Sequence, residues 1–178
     1  MEEAPFQWFA MRATYKREFI AKEYLVGKGF EVFLPLKREV REIRGIKRKV
    51  TVPAISSLVF VKAQKEKLQQ AKFGVEYLQY LTGKLDGNNV PIVVPEDQME
   101  LFRRIVEDDT IDKTYFTAGE INFAEGKKVK VHGGVLDGYE GVLVKVKGKR
   151  NKQFFLEIEG ILSLHLALKD YHLVEVIE

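Results

Sequence analysis

The sequence contains no cysteine, only five prolines and a single tryptophan in 178 residues. Without cysteine the chain can form neither disulfides nor thiolate metal sites, and it has no cysteine nucleophile, which agrees with a reducing compartment. No apolar run approaches the ~18 residues needed to cross a bilayer, and the start, MEEAPFQW, is acidic where a signal peptide would be basic. We therefore expect a cytoplasmic protein with no membrane partner.

Groups that could do chemistry are also scarce. The three histidines, His132, His165 and His172, have no second histidine or carboxylate at the i,i+4 spacing of a helical metal site. No nucleophile elbow and no Lys-Ser/Thr phosphate loop is present. The glycines between 133 and 141 precede no helix pattern, so we interpret them as turn residues, with Gly141 allowing a close backbone approach. We expect no metal, no cofactor and no enzymatic activity.

Charge is unevenly distributed along the chain. The net charge is +3, but residues 6–107 carry 19 Lys and Arg against 12 Asp and Glu. Residues 108–122 carry one basic and four acidic residues, and residues 123–178 are nearly balanced, nine against eight. The first hundred residues are therefore the part that should be attracted to a polyanion.

The pattern of apolar residues predicts an α+β protein. Residues 6–107 show the order β-α-β-β-β-α-β-α, which favours a mostly antiparallel sheet with flanking helices. The first helix would place Phe19, Ile20, Ala21, Tyr24 and Leu25 on one side. Residues 108–122 show no sustained period and are predicted to be a linker, and residues 123–178 contain five short strands with the spacing of a small all-β barrel.

A hairpin is predicted around Arg44-Gly45, because the strand patterns on either side of it are separated by a turn signal. Residues 37–49 hold seven basic and two acidic residues. One interpretation is an edge hairpin whose charges prevent aggregation. The other is an arm that contacts phosphates, with help from the start of the first helix. The candidate nucleic-acid-binding residues are Lys16, Arg17, Arg44, Lys47, Arg48 and Lys49.

Three groups of residues together resemble the NusG family of transcription elongation factors. They are WFAMRATYKRE with the following AxxYL (8–25), the hairpin followed by PAISSLVFV (53–61), and FAEGKKVKVHGGVLDGYEGVLVKV (123–146), which is similar to a KOW motif opening an SH3-like barrel. The start at 15–18 and VPEDQME (94–100) resemble specialised paralogues of the UpxY type, with RfaH more distant.

This resemblance implies an N-terminal NGN-like domain that binds the clamp helices of the largest RNA polymerase subunit and approaches the non-template strand or upstream duplex DNA. The positions that match the family's apolar depression are Leu58, Phe60 and Leu81. An ordinary core strand is the alternative for Leu58 and Phe60, since alternate residues of a strand face the core. The implied function is processivity or antitermination, in the UpxY type of a polysaccharide-biosynthesis operon.

The resemblance also implies Rho or a ribosomal protein as a partner of the barrel, which we expect to remain β. Glu159 and Ile161, however, replace the aromatic and arginine residues that such members tend to have. A second function stays open: a ribosome- or RNA-binding KOW protein without a polymerase role, for which a basic barrel would be the distinguishing feature.

Overall fold

The computed structural model describes residues 3–158 and 160–177. The chain divides into two compact units, the first ending at Glu107 and the second beginning at Asp108. Each unit has its own sheet and its own buried core. The predicted α+β class is confirmed.

The first unit is built on a five-stranded antiparallel sheet with the order β2-β5-β1-β6, in which β9 also pairs with β1. Its strands are β1 (Gln7–Ala13), β2 (Glu31–Phe33), β5 (Leu58–Ala63), β6 (Leu78–Tyr80) and β9 (Val93–Val94). Two hairpins form separate two-stranded sheets: β3 (Leu36–Ile43) with β4 (Ile46–Pro53), and β7 (Thr82–Leu85) with β8 (Asn88–Pro91).

Three helices accompany this sheet: α1 (Glu18–Gly27), α2 (Lys65–Lys72) and α3 (Glu96–Glu107). Val59 and Val61 of β5 face a core that includes Leu25 of α1 and Leu68 of α2. Phe60, which alternates with these valines, faces the opposite side and contacts Phe102 of α3, with ring centroids 5.6 Å apart. Both faces of the sheet are therefore covered, which explains why β5 is apolar along most of its length.

The orientation of α1 differs from the prediction. Ala21 and Leu25 are buried as expected, but Phe19 and Ile20 are 50% and 54% exposed. Glu18 occupies a buried position instead, 3% exposed. An apolar count around a helix cannot anticipate this rotation, because it assigns a glutamate to solvent by default.

The second unit is a six-stranded antiparallel sheet with the order β10-β14-β13-β12-β11-β15. Its strands are β10 (Lys113–Thr117), β11 (Lys127–His132), β12 (Glu140–Val144), β13 (Gln153–Ile158), β14 (Leu162–Leu166) and β15 (Leu173–Val176). Strand β10 lies inside the predicted linker of residues 108–122, where it pairs with β14. The short sequence KTYFT is a strand because it pairs with β14, and a pairing with a distant strand cannot be recognised from a local sequence pattern.

The predicted close approach at Gly141 is present. A Cβ built at this position would lie 2.4 Å from the carbonyl oxygen of Phe155, on the neighbouring strand β13. Only glycine fits there without movement of the sheet. In the described residues no helix is long and apolar enough to span a membrane, and no group of three or more His, Asp or Glu could hold a metal ion.

Candidate nucleic-acid and polymerase interfaces

The cationic hairpin β3–β4 is closed by a two-residue turn. Arg44 and Gly45 both have positive φ, 52° and 76°, as a type I′ turn requires, and such a turn matches the right-handed twist of the two strands. Ile43 pairs with Ile46 at the end of the ladder, and the pairing continues to Leu36 and Pro53. Eight residues a strand give an arm about 26 Å long.

Basic residues lie on both faces of this hairpin, because alternate residues of a strand point to opposite sides. Lys47 and Lys49 share one face, and Arg48 lies on the other together with Arg41, its direct cross-strand neighbour. Like charges directly opposite each other destabilise a hairpin. Glu39 offsets part of this repulsion, through ion pairs with Arg41 and Lys37. All four predicted cations of the hairpin, Arg44, Lys47, Arg48 and Lys49, are exposed.

A second cluster lies at the turn between β1 and α1. Tyr15 and Lys16 are consecutive non-glycine residues in the left-handed region, with φ of 57° and 55°. Such conformations cost of order 1 kcal/mol each and persist where the surroundings enforce them, often at functional sites. Tyr15 is 84% exposed. The guanidinium of Arg17 lies over two aromatic rings, 5.8 Å from the centroid of Tyr15 and 5.3 Å from that of Tyr77.

Buried Glu18 holds this turn in place. Its carboxylate accepts a hydrogen bond of 2.6 Å from the backbone N–H of Ser57, in the segment between β4 and β5. The carbonyl of Ser57 in turn accepts from the N–H of Ala13, at 2.8 Å. Ser57 itself has a φ of 65°. The start of α1 and the segment that follows the cationic hairpin are thus fastened to each other.

Tyr15 and Tyr77 are functional candidates that reasoning from the sequence missed. Arg17 and Lys16 were predicted, but Tyr77 is distant in sequence and reaches the cluster only because β6 pairs with β1. A backbone hydrogen bond holds the two segments side by side: the N–H of Thr14 donates to the carbonyl of Tyr77 at 2.8 Å. The sequence did offer one indication of this cluster, because Tyr15 precedes two basic residues, and aromatic and basic side chains together are typical of surfaces that bind single-stranded nucleic acid.

The predicted polymerase contacts lie on the face of the sheet that packs against α3. Leu58 and Phe60 are 3% and 0% exposed, which agrees with the alternative of an ordinary core strand, and their contact with a polymerase stays a prediction. The cause of this burial is α3, whose Phe102 covers Phe60 and also contacts Phe33, with centroids 5.7 Å apart. Leu81 is half-buried and remains the accessible member of the predicted set.

The same face continues beyond α3. Arg12 pairs with Leu58 on one side and Gln79 on the other, so the three side chains project in one direction. Arg12 and Gln79 are exposed. Leu81 belongs to the adjoining row, because its N–H donates to the carbonyl of Ala10, which is the cross-strand neighbour of Phe60. We name Arg12, Gln79 and Leu81 the open end of the α3 face.

The family model described as "Transcription termination factor nusG" matches residues 6–103, which is more than half of the chain and nearly all of the first unit. The chain belongs to the NusG family. Members of this family are transcription elongation and antitermination factors that bind RNA polymerase. The structure is also similar to that of NusG from Thermotoga maritima, with a TM-score of 0.49 and 18% identity over 98% of both chains. No curated protein matches the sequence.

The second hairpin, β7–β8, is a part of the NusG-matched region that the sequence reasoning overlooked. Its turn is Asp86-Gly87, with φ of 49° and 79°, and Asp-Gly between two strands is one of the strongest local hairpin signals. It differs from β3–β4 in charge: Lys84 is its one basic residue and Asp86 its one acidic residue. The two hairpins therefore share a turn type but not an electrostatic character.

The second unit lies wholly outside the NusG-matched residues, and half of its ten basic residues fall in one segment. The segment between β12 and β13, KVKGKRNK at 145–152, holds five basic and no acidic residues. The ammonium of Lys145 donates to the carbonyls of Lys149 and Arg150, at 2.8 and 2.5 Å. Ile161 is buried at 6% exposure, whereas Glu159 lies outside the described residues.

The histidines of this unit have neighbours but form no convergent site. His132 contacts the carboxylate of Glu175 at 2.7 Å. His172 accepts a hydrogen bond at Nδ1 from the backbone N–H of Lys169, at 2.8 Å. His165 lies against the ring of Phe155, and burial, with a smaller contribution from Lys149, lowers its pKa from the ordinary 6.5.

Proposed function

We propose that the chain is a polymerase-bound elongation and antitermination factor whose first unit contacts the clamp helices of the largest RNA polymerase subunit and, at the same time, DNA. The observation that carries this proposal is the family match over residues 6–103. Within those residues lie two solvent-exposed basic surfaces and a partly open sheet face. The factor would act in the cytoplasm by favouring the elongating state of the polymerase over paused states, which is a population shift and requires no chemistry.

The polymerase contact is assigned to the open end of the α3 face. Arg12 and Gln79 offer polar groups at its margin, and Leu81 offers a half-buried apolar surface. Such a combination of an apolar centre with a polar margin suits a helical tip seated on a shallow depression. Leu58 and Phe60 are buried next to this surface, and their packing would fix the position of the strands that carry Arg12, Gln79 and Leu81.

The DNA contact is assigned to the hairpin β3–β4 and to the cluster of Tyr15, Lys16, Arg17 and Tyr77. A phosphate between Arg41 and Arg48 would relieve the repulsion of these cross-strand neighbours. Tyr15 and Tyr77 offer ring faces for unstacked bases, and Lys16 and Arg17 offer charge for the adjoining phosphates. Duplex DNA suits the hairpin and the non-template strand suits the cluster.

The DNA contact can be tested with the full chain and a bubble template. The triple variant Arg44→Ala, Lys47→Ala, Arg48→Ala should weaken binding and lower the slope of log affinity against log salt by about 2 to 3, because each lost phosphate contact removes about one released counterion. The control is Lys65→Ala, Lys84→Ala, Arg104→Ala, which removes the same charge from exposed positions elsewhere in the first unit. If both triples lower the slope equally, the hairpin is merely solvated.

The polymerase contact needs a test that does not unfold the unit. Arg12→Glu changes an exposed residue and should abolish retention of the chain on core RNA polymerase, and Leu81→Gln should weaken it several-fold. Lys65→Glu, on the exposed side of α2, should have no effect. Wild-type retention of both Arg12→Glu and Leu81→Gln would refute the assignment of this face.

The target of recruitment is proposed from residues 15–18 and 94–100, which resemble the UpxY type. We propose that the chain serves a polysaccharide-biosynthesis operon. Transcription of such an operon should fall toward its distal genes when the chain's gene is deleted, while unrelated long operons remain unchanged. An equal decline in all long operons would instead indicate a general factor.

A second candidate function is RNA binding by the barrel, with or without a ribosomal partner. The observation that favours it is the basic segment 145–152. Lys147→Ala, Lys149→Ala and Lys152→Ala together should reduce the affinity of the full chain for a single-stranded RNA, whereas the hairpin triple should leave it unchanged. RNA affinity that follows the hairpin triple would remove this candidate.

A further inference from the structure

Strand β15 of the second unit has an open edge. It is terminal in the sheet order, and in the part of the chain that the structure describes it pairs with β11 alone. Native proteins usually protect such an edge with lysine, with proline or with a covering loop. β15 contains neither a lysine nor a proline, and all four of its residues are exposed. The strand is therefore open to pairing with another strand.

The β11–β15 ladder shows which backbone groups point outward. The N–H of Ile177 donates to the carbonyl of Lys128 at 3.0 Å, so these residues form a hydrogen-bonded pair. Because hydrogen-bonded and non-hydrogen-bonded pairs alternate in an antiparallel ladder, Val176 and Val174 belong to the non-hydrogen-bonded pairs. Val131, the ladder partner of Val174, donates its own N–H on the opposite side of β11, at 2.8 Å. The N–H and C=O groups of Val174 and Val176 therefore point toward the open edge.

The side chains along this edge are mostly apolar. Four of the residues from 173 to 177 are apolar and between 37% and 70% exposed, namely Leu173, Val174, Val176 and Ile177. The charged residue among them is Glu175, whose carboxylate contacts Nε2 of His132 at 2.7 Å. Since His132 lies on β11, this contact draws the charge away from the open edge. An edge with apolar side chains and no basic residue favours a protein strand over a nucleic acid.

The sequence of the edge is symmetric about its single charge. Residues 173–177 read LVEVI, an order of apolar and charged residues that is the same in both chain directions. Two copies can pair antiparallel about a two-fold axis at Glu175, and valine then meets valine while leucine meets isoleucine. Val174 and Val176 form the hydrogen-bonded pairs in this register, because their backbone groups point outward. The open edge is thus complementary to itself, as a two-fold interface requires.

We propose that this edge pairs with the same edge of a second copy of the chain, in an antiparallel dimer whose two-fold axis passes at Glu175. Val174 and Val176 of the second copy would exchange two backbone hydrogen bonds, and the symmetric pair would exchange two more. Aliphatic cross-strand pairs on both faces would add to the stability. A second copy is favoured over an unrelated strand, because the symmetry of residues 173–177 gives a match only when the partner carries the same sequence.

The dimer is expected to be weak. Interfaces of standard size involve about 20 to 30 residues a side, far more than residues 173–177 provide. The two Glu175 side chains would also lie opposite each other at the axis, where like charges oppose association. We therefore expect a Kd on the order of 100 μM.

This edge is separate from the surfaces proposed for polymerase, DNA and RNA, since none of its residues belongs to them. The proposal neither rests on the proposed function nor fails with it. The polymerase variants Arg12→Glu and Leu81→Gln should therefore dimerise like the wild type.

Sedimentation of the full chain over a concentration series tests the pairing. The weight-average mass should rise from that of one chain, 20.5 kDa, toward twice that value as the concentration approaches about 1 mM. Val176→Pro removes one outward N–H, and proline is tolerated at an edge position whose N–H faces solvent. This variant should keep the circular dichroism spectrum of the wild type and remain monomeric. A wild-type mass that is independent of concentration, or a folded Val176→Pro variant that associates equally, would overturn the proposal.

Single cysteines test the register, because the chain has no cysteine of its own. Glu175→Cys places two thiols at the axis in a non-hydrogen-bonded pair, with Cα atoms about 4.5 Å apart, which is within reach of a disulfide. Leu173→Cys is the control, since its two thiols would lie on either side of the axis, about 14 Å apart. In oxidised glutathione, dimers of Glu175→Cys should form at least about tenfold faster than those of Leu173→Cys. Equal rates would contradict the register, because Leu173 is itself 70% exposed.

Glu175→Gln tests the position of the axis without a covalent bond. It removes the like charges that face each other there, and it should tighten the dimer about two- to fivefold. Sedimentation measures this change beside the wild type. A Glu175→Gln dimer that is no tighter than the wild-type dimer would show that the axis does not pass at this residue.

Discussion

Lys16 combines a functional charge with a strained backbone. Its φ of 55° is a conformation that glycine adopts freely and that lysine adopts at a cost of about 1 to 2 kcal/mol. Glycine also makes the unfolded chain more flexible, which offsets about 0.4 to 1 kcal/mol of the gain. Substitution can therefore separate the effect of the charge on DNA binding from the effect of the backbone strain on stability.

We predict that Lys16→Gly leaves the free energy of unfolding unchanged or raises it by up to about 1.5 kcal/mol, while it weakens binding to single-stranded DNA. Lys16→Ala, the control, should weaken DNA binding equally but keep the strained turn. Chemical denaturation and DNA titration measure the two effects. A Lys16→Gly variant less stable than Lys16→Ala would show that this turn is not left-handed in solution.

His165 links stability of the second unit to pH. Burial lowers its pKa below the ordinary 6.5 of an unfolded chain, so between these two values the unfolded chain binds more protons than the folded one. The contribution of His165 to stability is therefore full above about pH 6.5 and declines as the pH falls through the folded-state pKa.

We predict that His165→Gln flattens the loss of thermal stability of the second unit between neutral and mildly acidic pH. Comparison of slopes, and not of absolute melting temperatures, removes the effect of lost packing against Phe155. His132→Gln, at the exposed position beside Glu175, is the control. An unchanged slope in His165→Gln would mean that this ring titrates as it does in water.

Single residues show where reading the sequence succeeds and where it stops. Gly141 could be predicted because close approach in a small barrel has one residue type that fits. The exposure of the hairpin cations follows from charge alone. The sequence left burial of Leu58 and Phe60 as one of two alternatives, because period-two alternation does not say whether the second face of a strand is covered; here α3 covers it.

Among elements, the hairpin β3–β4 and the hairpin β7–β8 form a natural comparison. Each hairpin has a two-residue turn in which both residues have positive φ, and the second residue of each turn is a glycine, Gly45 or Gly87. Neither hairpin pairs with the central sheet. Damage to either turn should therefore leave the core of the first unit nearly unaffected.

We predict that Gly45→Val weakens DNA binding several-fold although it removes no charge, because a β-branched residue is strained at a φ of 76° and the ladder that aligns the cations frays. Gly87→Val places the same strain in the hairpin of low charge and should leave DNA affinity unchanged. Hydrogen exchange of the backbone amides should show local opening of the mutated hairpin in each variant. Equal DNA affinity of Gly45→Val and Gly87→Val would mean that hairpin geometry does not matter.

Elements with a strong local signal were predictable, and those defined by pairing were not. The amphipathic stripe of α3, with Met99, Phe102 and Ile105, is buried as its spacing indicates. The sequence predicts a linker where strand β10 lies, because the ladder partner of this strand, β14, is distant in sequence. The hairpin β7–β8 could have been predicted, because Asp86-Gly87 is a strong two-residue turn signal.

For the whole molecule, the first unit contains every residue assigned to polymerase and to DNA, and the family match ends at residue 103 within it. We predict that a fragment of residues 3–107 folds, shows the same DNA salt slope as the full chain and is retained on core polymerase. A fragment that remains unfolded, or that folds and binds neither, would show that the second unit contributes to these contacts.

The central claim is that this member of the NusG family binds an elongating polymerase through the open end of the α3 face and thereby suppresses pausing. The most direct measurement is read-through of a defined pause site by purified RNA polymerase from the same organism, with the wild-type chain, Arg12→Glu or Lys65→Glu added. The account predicts higher read-through with the wild type and with Lys65→Glu, and none of this gain with Arg12→Glu. Read-through that is equal with and without the wild-type chain would contradict it.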